Sequence, residues 1–280
     1  MVRFSLFGIP HDENSSFMRG PAEAPPLIRN KLYSDAYGEF SETGVNVGAK
    51  GRIVDHGDLR FEGTSDPWTL IEEGVARILD SGDPLICLGG DHAVTHPILR
   101  AVRRRHAQLT ILHIDAHPDI YHAYQGNPRS HASPFARIME EHLADRLIQV
   151  GLRCVTDHHR EQFKRFRVEA IEAARCDREL RFDLKTPVYL SMDIEALDPA
   201  YAPGVSHREP GGLSPRQVIN WIHSIEQPIV GADIVEYNPR CDISDLTAIV
   251  AAKLVKEIGG MMVKTAPGQQ RSDDHSAPTA

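Results

Sequence analysis

The chain has 280 residues, of which 41% are hydrophobic and 25% are charged, a composition typical of a globular protein with a substantial buried core. Its formal net charge of −8 argues against nucleic acid as a partner and mildly favours a cationic substrate. No stretch approaches the roughly 20 apolar residues of a membrane helix, so no membrane partner is expected. The four cysteines form no CxxC pair and the N-terminus has no signal pattern, which predicts a cytoplasmic location.

Short apolar runs typical of strands alternate with helical patterns along the chain. The strand candidates are 4–9, 52–55, 84–88, 109–114, 147–152, 187–192 and 229–235, and helical patterns occupy 68–79, 97–105, 134–141, 215–223 and 247–258. This alternation predicts a single-domain, three-layer α/β fold with a central parallel sheet and helices on both faces. The domain is expected to span residues 1–263, and the polar segment 264–280 to form a disordered tail.

Three of the predicted strands are each followed by a string of acidic and histidine residues. The strings are Gly-Gly-Asp-His at 89–92, Asp-Ala-His-Pro-Asp at 115–119 and Asp-Ile-Glu at 193–195. Polar side chains beside buried strands are costly unless they bind something, and a pair of divalent cations would supply the missing partner. The candidate metal ligands are His92, Asp115, His117, Asp119, Asp193 and Glu195.

The spacing of these residues predicts that they meet. Ligands two residues apart would point to the same side of an extended backbone. If the two acid-bearing strands are neighbours in a parallel sheet, their ligands converge at the carboxyl ends, where open α/β sheets bind ligands. Mixed carboxylate and imidazole ligation suits Mn²⁺, with Ni²⁺, Zn²⁺ or Fe²⁺ possible on ligand type alone. A glycine turn or a solvated loop would explain one string, but three strings at strand ends favour the two-metal hypothesis.

These strings resemble the signature of the ureohydrolase superfamily, the arginases, agmatinases and their relatives. The resemblance covers about residues 4–258, and the stretches 115–127, 130–140 and 202–213 most resemble the plant-type arginase and agmatinase branch. It implies an arginase-like fold and hydrolysis of a guanidino substrate, L-arginine or agmatine, to urea and a primary amine. It also implies two Mn²⁺ ions, with Ni²⁺ or another divalent metal as alternatives, a hydroxide between them as nucleophile, and a homo-oligomer, either a trimer or a hexamer.

The resemblance further implies a role for each site residue. The first metal would be held by His92, Asp115, Asp119 and Asp193, and the second by Asp115, His117, Asp193 and residue 195. His131 matches the family's active-site histidine, a proposed proton shuttle that suits an unperturbed pKa near ~6.5. Glu236 matches the acid that pairs with the guanidinium, and Asp119 would relay a proton to the leaving amine.

Position 195 departs from the family pattern, because the family normally has Asp where this chain has Glu. The extra methylene moves the carboxylate by roughly 1.5 Å, which is large against metal–oxygen distances of about 2.0–2.2 Å. Glu195 would bind after a small backbone shift, leave the second site half occupied, or favour a different metal. The remaining alternative is an inactive site. On sequence alone, Glu195→Asp is expected to tighten binding at the second site.

The loop after the second string is expected to meet the end of the substrate away from the guanidinium. In arginases small polar residues of this loop grip the α-carboxylate, and Asn127 and Ser130 could do so here, with added charge from Arg129. The alternative for residues 126–128 is a plain turn. Arginases outside the plant branch carry an Asp after Gly-Leu-Arg that recognises the α-amino group, where this chain has Cys154. Arginine is favoured, and agmatine stays open.

Other histidines and other protein classes compete with this hypothesis. His11, His113, His122 and His207 lie near the strings and are expected to be structural or surface residues rather than ligands. One rival class is a metal deacetylase on a similar scaffold, although those enzymes lack the paired bridging acids. The other is a non-catalytic paralogue marked by Glu195, which would hold less than about one metal per chain instead of about two.

Overall fold

The computed structural model describes residues 2–63, 66–176 and 180–268, and eight strands within them form one sheet. The strands are β1 (Phe4–Ile9), β2 (Ile53–Asp58), β3 (Leu85–Gly89), β4 (Thr110–Ile114), β5 (Arg146–Leu152), β6 (Glu169–Glu172), β7 (Val188–Asp193) and β8 (Ile229–Val235). Their order across the sheet is β2-β1-β3-β8-β7-β4-β5-β6, and every neighbouring pair is parallel. The predicted central parallel sheet is confirmed.

Helices cover both faces of this sheet. The α-helices of the described residues are α1 (Ala24–Leu32), α2 (Pro67–Leu79), α3 (Thr95–Arg103), α4 (Pro134–Glu140), α5 (Asp157–Phe166), α6 (Pro215–His223) and α7 (Leu246–Lys264). One apolar core packs α1, α6 and α7 on one face, and a second packs α2, α3 and α4 on the other, which confirms the three predicted layers. Nowhere in the described chain is a helix both long and apolar enough to cross a bilayer. The domain boundary at residue 263 stays a prediction, and the predicted tail beyond Gly268 lies outside the described residues.

The local sequence explains why most strands and helices form where they were predicted. The central strands β3, β4 and β7 are buried along their whole length, which is why they read as continuous apolar runs. Three helices, α2, α4 and α6, begin with proline, whose fixed φ suits the first helical position. The elements that the pattern missed are α1, α5 and β6. The first turn of α1 contains two prolines, α5 has a very polar sequence, and β6 is a short strand at the edge of the sheet.

The strand order decides where the three strings lie. Strands β4 and β7 are direct neighbours, and their register pairs Ile114 with Met192, so that Asp115 and Asp193 leave the sheet side by side. Strand β8 lies on the other side of β7, and β3 lies beside β8. The carboxyl ends of these four strands therefore bring the strings and Glu236, which follows β8, to one edge of the sheet.

Candidate active site

Three buried carboxylates converge at this edge around the imidazole of His92. Its Nδ1 lies 3.3 Å from Asp115 Oδ2, 3.0 Å from Asp119 Oδ2 and 3.1 Å from Asp193 Oδ2. Within the described residues this nitrogen has no hydrogen-bond partner of suitable geometry. A single N–H could not satisfy three buried carboxylates, whereas a cation among these four atoms would. The group could hold a metal ion.

The charges of this cluster point the same way. Burial lowers the pKa of the His92 imidazole, but the surrounding carboxylates outweigh burial and raise it well above its ordinary value. Burial, followed by repulsion from Asp115, raises the pKa of the Asp193 carboxyl well above its usual range. Three carboxylates and one imidazole leave a net negative charge among buried side chains, and a divalent cation would neutralise it.

A second group of ligand-type atoms surrounds His117. Its Nδ1 lies 3.6 Å from Asp115 Oδ1 and 3.4 Å from Glu195 Oε2. Asp115 thus faces His92 with one oxygen and His117 with the other, which is how a carboxylate that bridges two metals must be placed. Glu195 lies in the short helical turn Ile194–Ala196 and is 2% exposed. Its Oε1 accepts a hydrogen bond of 2.8 Å from the His207 N–H, so this glutamate reaches the site despite its extra methylene.

The backbone of the two acidic strings differs from the predicted one. Residues 115–119 are not extended, and Asp119 has a φ of 46°. Asp115 Oδ1 accepts a hydrogen bond of 2.8 Å from the His117 N–H, and Asp193 Oδ1 accepts one of 2.6 Å from the Glu195 N–H. Both strings therefore leave their strand by a turn in which a carboxylate binds the amide two residues on. The ligands meet because each of two neighbouring strands ends in a turn of the same type.

Polar residues inside the strands hold the ligands in place, and three of them were not predicted from the sequence. His113 Nε2 lies 2.8 Å from Asp115 Oδ2, and its Nδ1 lies 2.9 Å from the Gln149 amide nitrogen. Ser191 Oγ lies 3.0 Å from His92 Nε2 and donates a hydrogen bond of 2.7 Å to Asp233. Such partners orient metal-binding side chains. A polar residue within an apolar strand, at Gln149, Ser191 and Asp233, is the signal that would have revealed them.

His131 and Glu236 form a buried pair beside the cluster. His131 Nδ1 lies 2.8 Å from Glu236 Oε1, which also accepts a hydrogen bond of 2.8 Å from the His92 N–H. The other oxygen, Glu236 Oε2, is buried and has no hydrogen-bond partner among the described residues. Burial lowers the pKa of His131, but Glu236 outweighs burial and raises it to about 10, above the unperturbed value assumed for a proton shuttle. Its Nε2 lies 2.8 Å from the hydroxyl of the exposed Ser16.

A cavity of about 230 Å³ opens beside these groups. It is lined by Ser16, His117, Asp119, Tyr121, Tyr124, His131, Ala132, Cys154, Thr156, His159, Asp193, Glu195, His207 and Glu236. Two larger cavities, of about 390 and 320 Å³, contain none of the predicted site residues. Asn127 and Ser130 are not among the residues that line this cavity. The Asn127 Oδ1 accepts a hydrogen bond of 2.9 Å from the Arg129 N–H, and Ser130 is buried. Their role in substrate binding stays a prediction.

Known proteins match the chain over nearly its whole length. A model of the arginase family matches residues 2–260. The chain is 44% identical to arginase 1, mitochondrial, of Arabidopsis thaliana over 93% of this chain and 81% of that protein. It is 31% identical to the agmatinase of Bacillus anthracis over 90% of this chain and 89% of that protein. The solved structure of arginase from Medicago truncatula has a TM-score of 0.87 at 43% identity and covers 93% of this chain and 87% of its own.

The names of these relatives correct one prediction. The arginase of Medicago truncatula, 44% identical, is named mitochondrial, and arginase 2 of Arabidopsis thaliana, 43% identical, is named chloroplastic/mitochondrial. The cytoplasmic location predicted from the sequence is contradicted by these relatives and is wrong.

Proposed function

Since this chain belongs to the arginase family, we propose that it hydrolyses a small cationic guanidino compound, with L-arginine favoured over agmatine, to urea and a primary amine. The observation that carries this proposal is the carboxylate of Glu236. Glu236 lines the cavity, one of its oxygens is held by the His131 ring and the His92 N–H, and the other is buried without a partner among the described residues. A buried acceptor without a donor is costly, and a guanidinium supplies planar N–H donors for it.

Glu236 would also place the reacting carbon. Its Oε1 accepts a hydrogen bond from the backbone N–H of His92, so the guanidinium anchor is attached directly to one of the candidate metal ligands. A substrate bound to Oε2 therefore has its carbon at a fixed position relative to Asp119 and Asp193, which line the same cavity. Fixing that geometry before reaction removes orientational entropy from the barrier. The left-handed backbone of Glu236, with a φ of 63°, is a conformation that surrounding structure must hold in place.

The metals belong to the same proposal. His92, Asp115, Asp119 and Asp193 fit one divalent ion, and Asp115, His117, Asp193 and Glu195 fit a second, with Mn²⁺ proposed and Ni²⁺ or another divalent metal as alternatives. Bound there, two cations would lower the pKa of a water molecule and offset the negative charge that develops on the substrate. We also propose the homo-oligomer, a trimer or hexamer, that the family resemblance implies.

Protons would move through the chain's own side chains. Asp119 lines the cavity and is 8% exposed, so its carboxylate can take a proton from the attacking water and give it to the leaving amine. His131 holds a proton at neutral pH because Glu236 raises its pKa to about 10. Its Nε2 contacts the exposed Ser16, and exchange with solvent would run through that hydroxyl.

The test is urea release from arginine, agmatine, 4-guanidinobutyrate and free guanidine. The protein would be reconstituted separately with Mn²⁺ and Ni²⁺, with bound metal counted in the same samples. We expect urea from at least one substrate at about two metals per chain. Glu236→Gln keeps the size of the side chain and removes its charge, so it should raise KM strongly and retain the metals. No urea from any substrate at full metal loading would refute the proposal, and less than about one metal per chain would favour the non-catalytic paralogue.

A further inference from the structure

We infer that Gln149 is a positioning residue that holds two ligands of the first candidate metal site through two separate hydrogen bonds. One bond reaches Asp115 through the ring of His113, and the other supports Asp119 through the backbone carbonyl of Pro118. The inference rests on the proposed function in one respect, since it assumes a metal ion at that site. It goes beyond that proposal because it assigns a role in metal binding to a residue that is not itself a ligand.

The register of the sheet places Gln149 beside both of its partners. It lies in β5, is fully buried, and pairs with His113 of the neighbouring strand β4. A buried amide within an apolar strand is costly unless its polar atoms are hydrogen-bonded. Its nitrogen lies 2.9 Å from His113 Nδ1 and 2.5 Å from the Pro118 oxygen, whereas its oxygen has no hydrogen-bond partner among the described residues. The amide nitrogen is therefore the part of this side chain that the site uses.

The carbonyl of Pro118 determines the orientation of the Gln149 amide. A carbonyl oxygen can only accept a hydrogen bond, so the amide atom 2.5 Å from it must be the nitrogen and not the oxygen. The same nitrogen lies 2.9 Å from His113 Nδ1, and a donor in that place requires Nδ1 to accept and to carry no proton. The proton of the neutral His113 ring therefore lies on Nε2.

The tautomer of His113 determines what the Asp115 carboxylate receives. His113 Nε2 lies 2.8 Å from Asp115 Oδ2, so the Nε2–H donates to this oxygen. The same oxygen lies 3.3 Å from His92 Nδ1, the nitrogen at the centre of the first site. In the opposite tautomer a lone pair on Nε2 would face the carboxylate, and the repulsion would turn Asp115 away. The His113 ring also stacks on Phe135 with centroids 4.0 Å apart, which restricts its rotation.

The second hydrogen bond of Gln149 supports the turn that carries Asp119. The backbone of Asp119 is left-handed, with a φ of 46°, and such a conformation persists only where surrounding contacts hold it. The Gln149 amide holds the preceding peptide through the Pro118 oxygen. The Phe135 N–H donates a hydrogen bond of 3.0 Å to the Asp119 oxygen and holds the following peptide. Both contacts fix the backbone from which Asp119 Oδ2 reaches within 3.0 Å of His92 Nδ1.

Nitrogen-15 NMR of the metal-free wild-type protein tests the tautomer directly. The two nitrogens of a neutral imidazole differ in chemical shift according to which one carries the proton, and the signals of His113 are assigned by their loss in His113→Phe. We expect the proton on Nε2. An Nδ1–H tautomer or a ring protonated at both nitrogens at neutral pH overturns the inference. This measurement requires neither turnover nor bound metal.

Gln149→Met tests the effect on the metal sites. Methionine has nearly the volume of glutamine and removes both donor hydrogens. The affinity of the first site, measured by competition with a chelator, should fall by about 10-fold to 100-fold, the usual effect of removing a partner of metal ligands. The second site should be weakened less, because the Asp115 oxygen that faces it is held by the His117 N–H. An unchanged first site overturns the inference.

Thr110→Val is the matched control, because it also removes a buried hydrogen bond from this part of the sheet. Thr110 begins β4, at the end of the strand away from the metal ligands, and its hydroxyl lies 2.7 Å from that of Thr186. We expect this variant to leave both metal affinities unchanged. If it weakens the first site as much as Gln149→Met does, and both variants lower the melting temperature of the metal-free protein equally, Gln149 only stabilises the fold and the inference is overturned.

The two hydrogen bonds are separated by combining Gln149→Met with His113→Phe. Phenylalanine can still stack on Phe135 but cannot donate to Asp115. The loss caused by Gln149→Met should therefore be smaller in the His113→Phe background than in the wild type, but not absent, because the bond to the Pro118 oxygen is lost in both. An equal loss overturns the path through His113, and no loss overturns the path through Pro118. A wild-type protein that binds no metal refutes the proposed function, whereas the NMR result still tests the tautomer.

Discussion

Replacing Glu195 by aspartate tests whether the second metal site is built around glutamate. Glu195 Oε1 accepts a hydrogen bond of 2.8 Å from the His207 N–H, and Oε2 lies 3.4 Å from His117 Nδ1. Aspartate would withdraw the carboxylate by roughly 1.5 Å from both partners. A hydrogen bond to a charged group contributes about 1.5–3 kcal/mol, so its loss should weaken binding at the second site by about 10-fold to 100-fold. The structure thus reverses the expectation from sequence, which favoured tighter binding.

The assay is a metal titration of the wild type and of Glu195→Asp, with the affinity of each site resolved by competition with a chelator. The first site should be nearly unchanged, because His92 and Asp119 do not contact Glu195. His207→Ala separates the two contributions of that residue, since it retains the backbone N–H that Glu195 accepts from and removes the ring, whose Nδ1 lies 3.4 Å from Glu195 Oε1. We expect that variant to weaken the second site less than Glu195→Asp does. Second-site binding in Glu195→Asp that equals or exceeds the wild type would show this reasoning to be wrong.

Three further predictions concern the ligands and their supports. Asp115→Ala should abolish turnover and metal retention together, because Asp115 faces both His92 and His117; retention of two metals would contradict its bridging role. Asp233→Asn should weaken first-site metal binding by about 10–100-fold, because Asp233 accepts a hydrogen bond from Ser191, which orients His92. An unchanged affinity would show that Asp233 does not influence the metal through Ser191. His131→Ala should lower kcat without loss of metal. The raised pKa of His131 also means that its stabilising contribution is present below pH ~6.5 and is lost as pH rises through about 10. Thermal unfolding of the metal-free protein across that range should therefore show a decline that His131→Ala lacks.

Apolar continuity made the centre of the sheet predictable from sequence. Strands β3, β4, β7 and β8 are enclosed by helices on both faces, so nearly every position is apolar and the runs end where the polar strings begin. Helix α5 gave no such signal, because its sequence is polar and its fully buried residues are His159 and Gln162. Its capping box has a histidine at the third position in place of the usual glutamate or glutamine, which also conceals where the helix begins.

The residues that support the ligands depend on register, which the sequence does not reveal. Asp233 pairs with Ser191 because β8 is the neighbour of β7 in one particular alignment, and a shift of one residue would turn it to the opposite face. The orientation of the His159 ring could not be predicted either. It follows from how α5 is capped and from how Tyr121 packs on the ring, and both depend on tertiary contacts.

The metal ligands were found from a spacing whose structural basis is different from the one assumed. Alternation along an extended strand would place Asp115 and His117 on one face, but the chain turns after Asp115, and that carboxylate caps the His117 amide with one oxygen while the other faces His92. Asp193 repeats this turn on the adjacent strand with Glu195. An acid at or directly after the last strand position, followed two residues later by a ligand, thus places two ligands at once and binds its own backbone. The pattern marks such sites because each carboxylate oxygen has two lone pairs, so an oxygen that accepts from the turn can also face a metal.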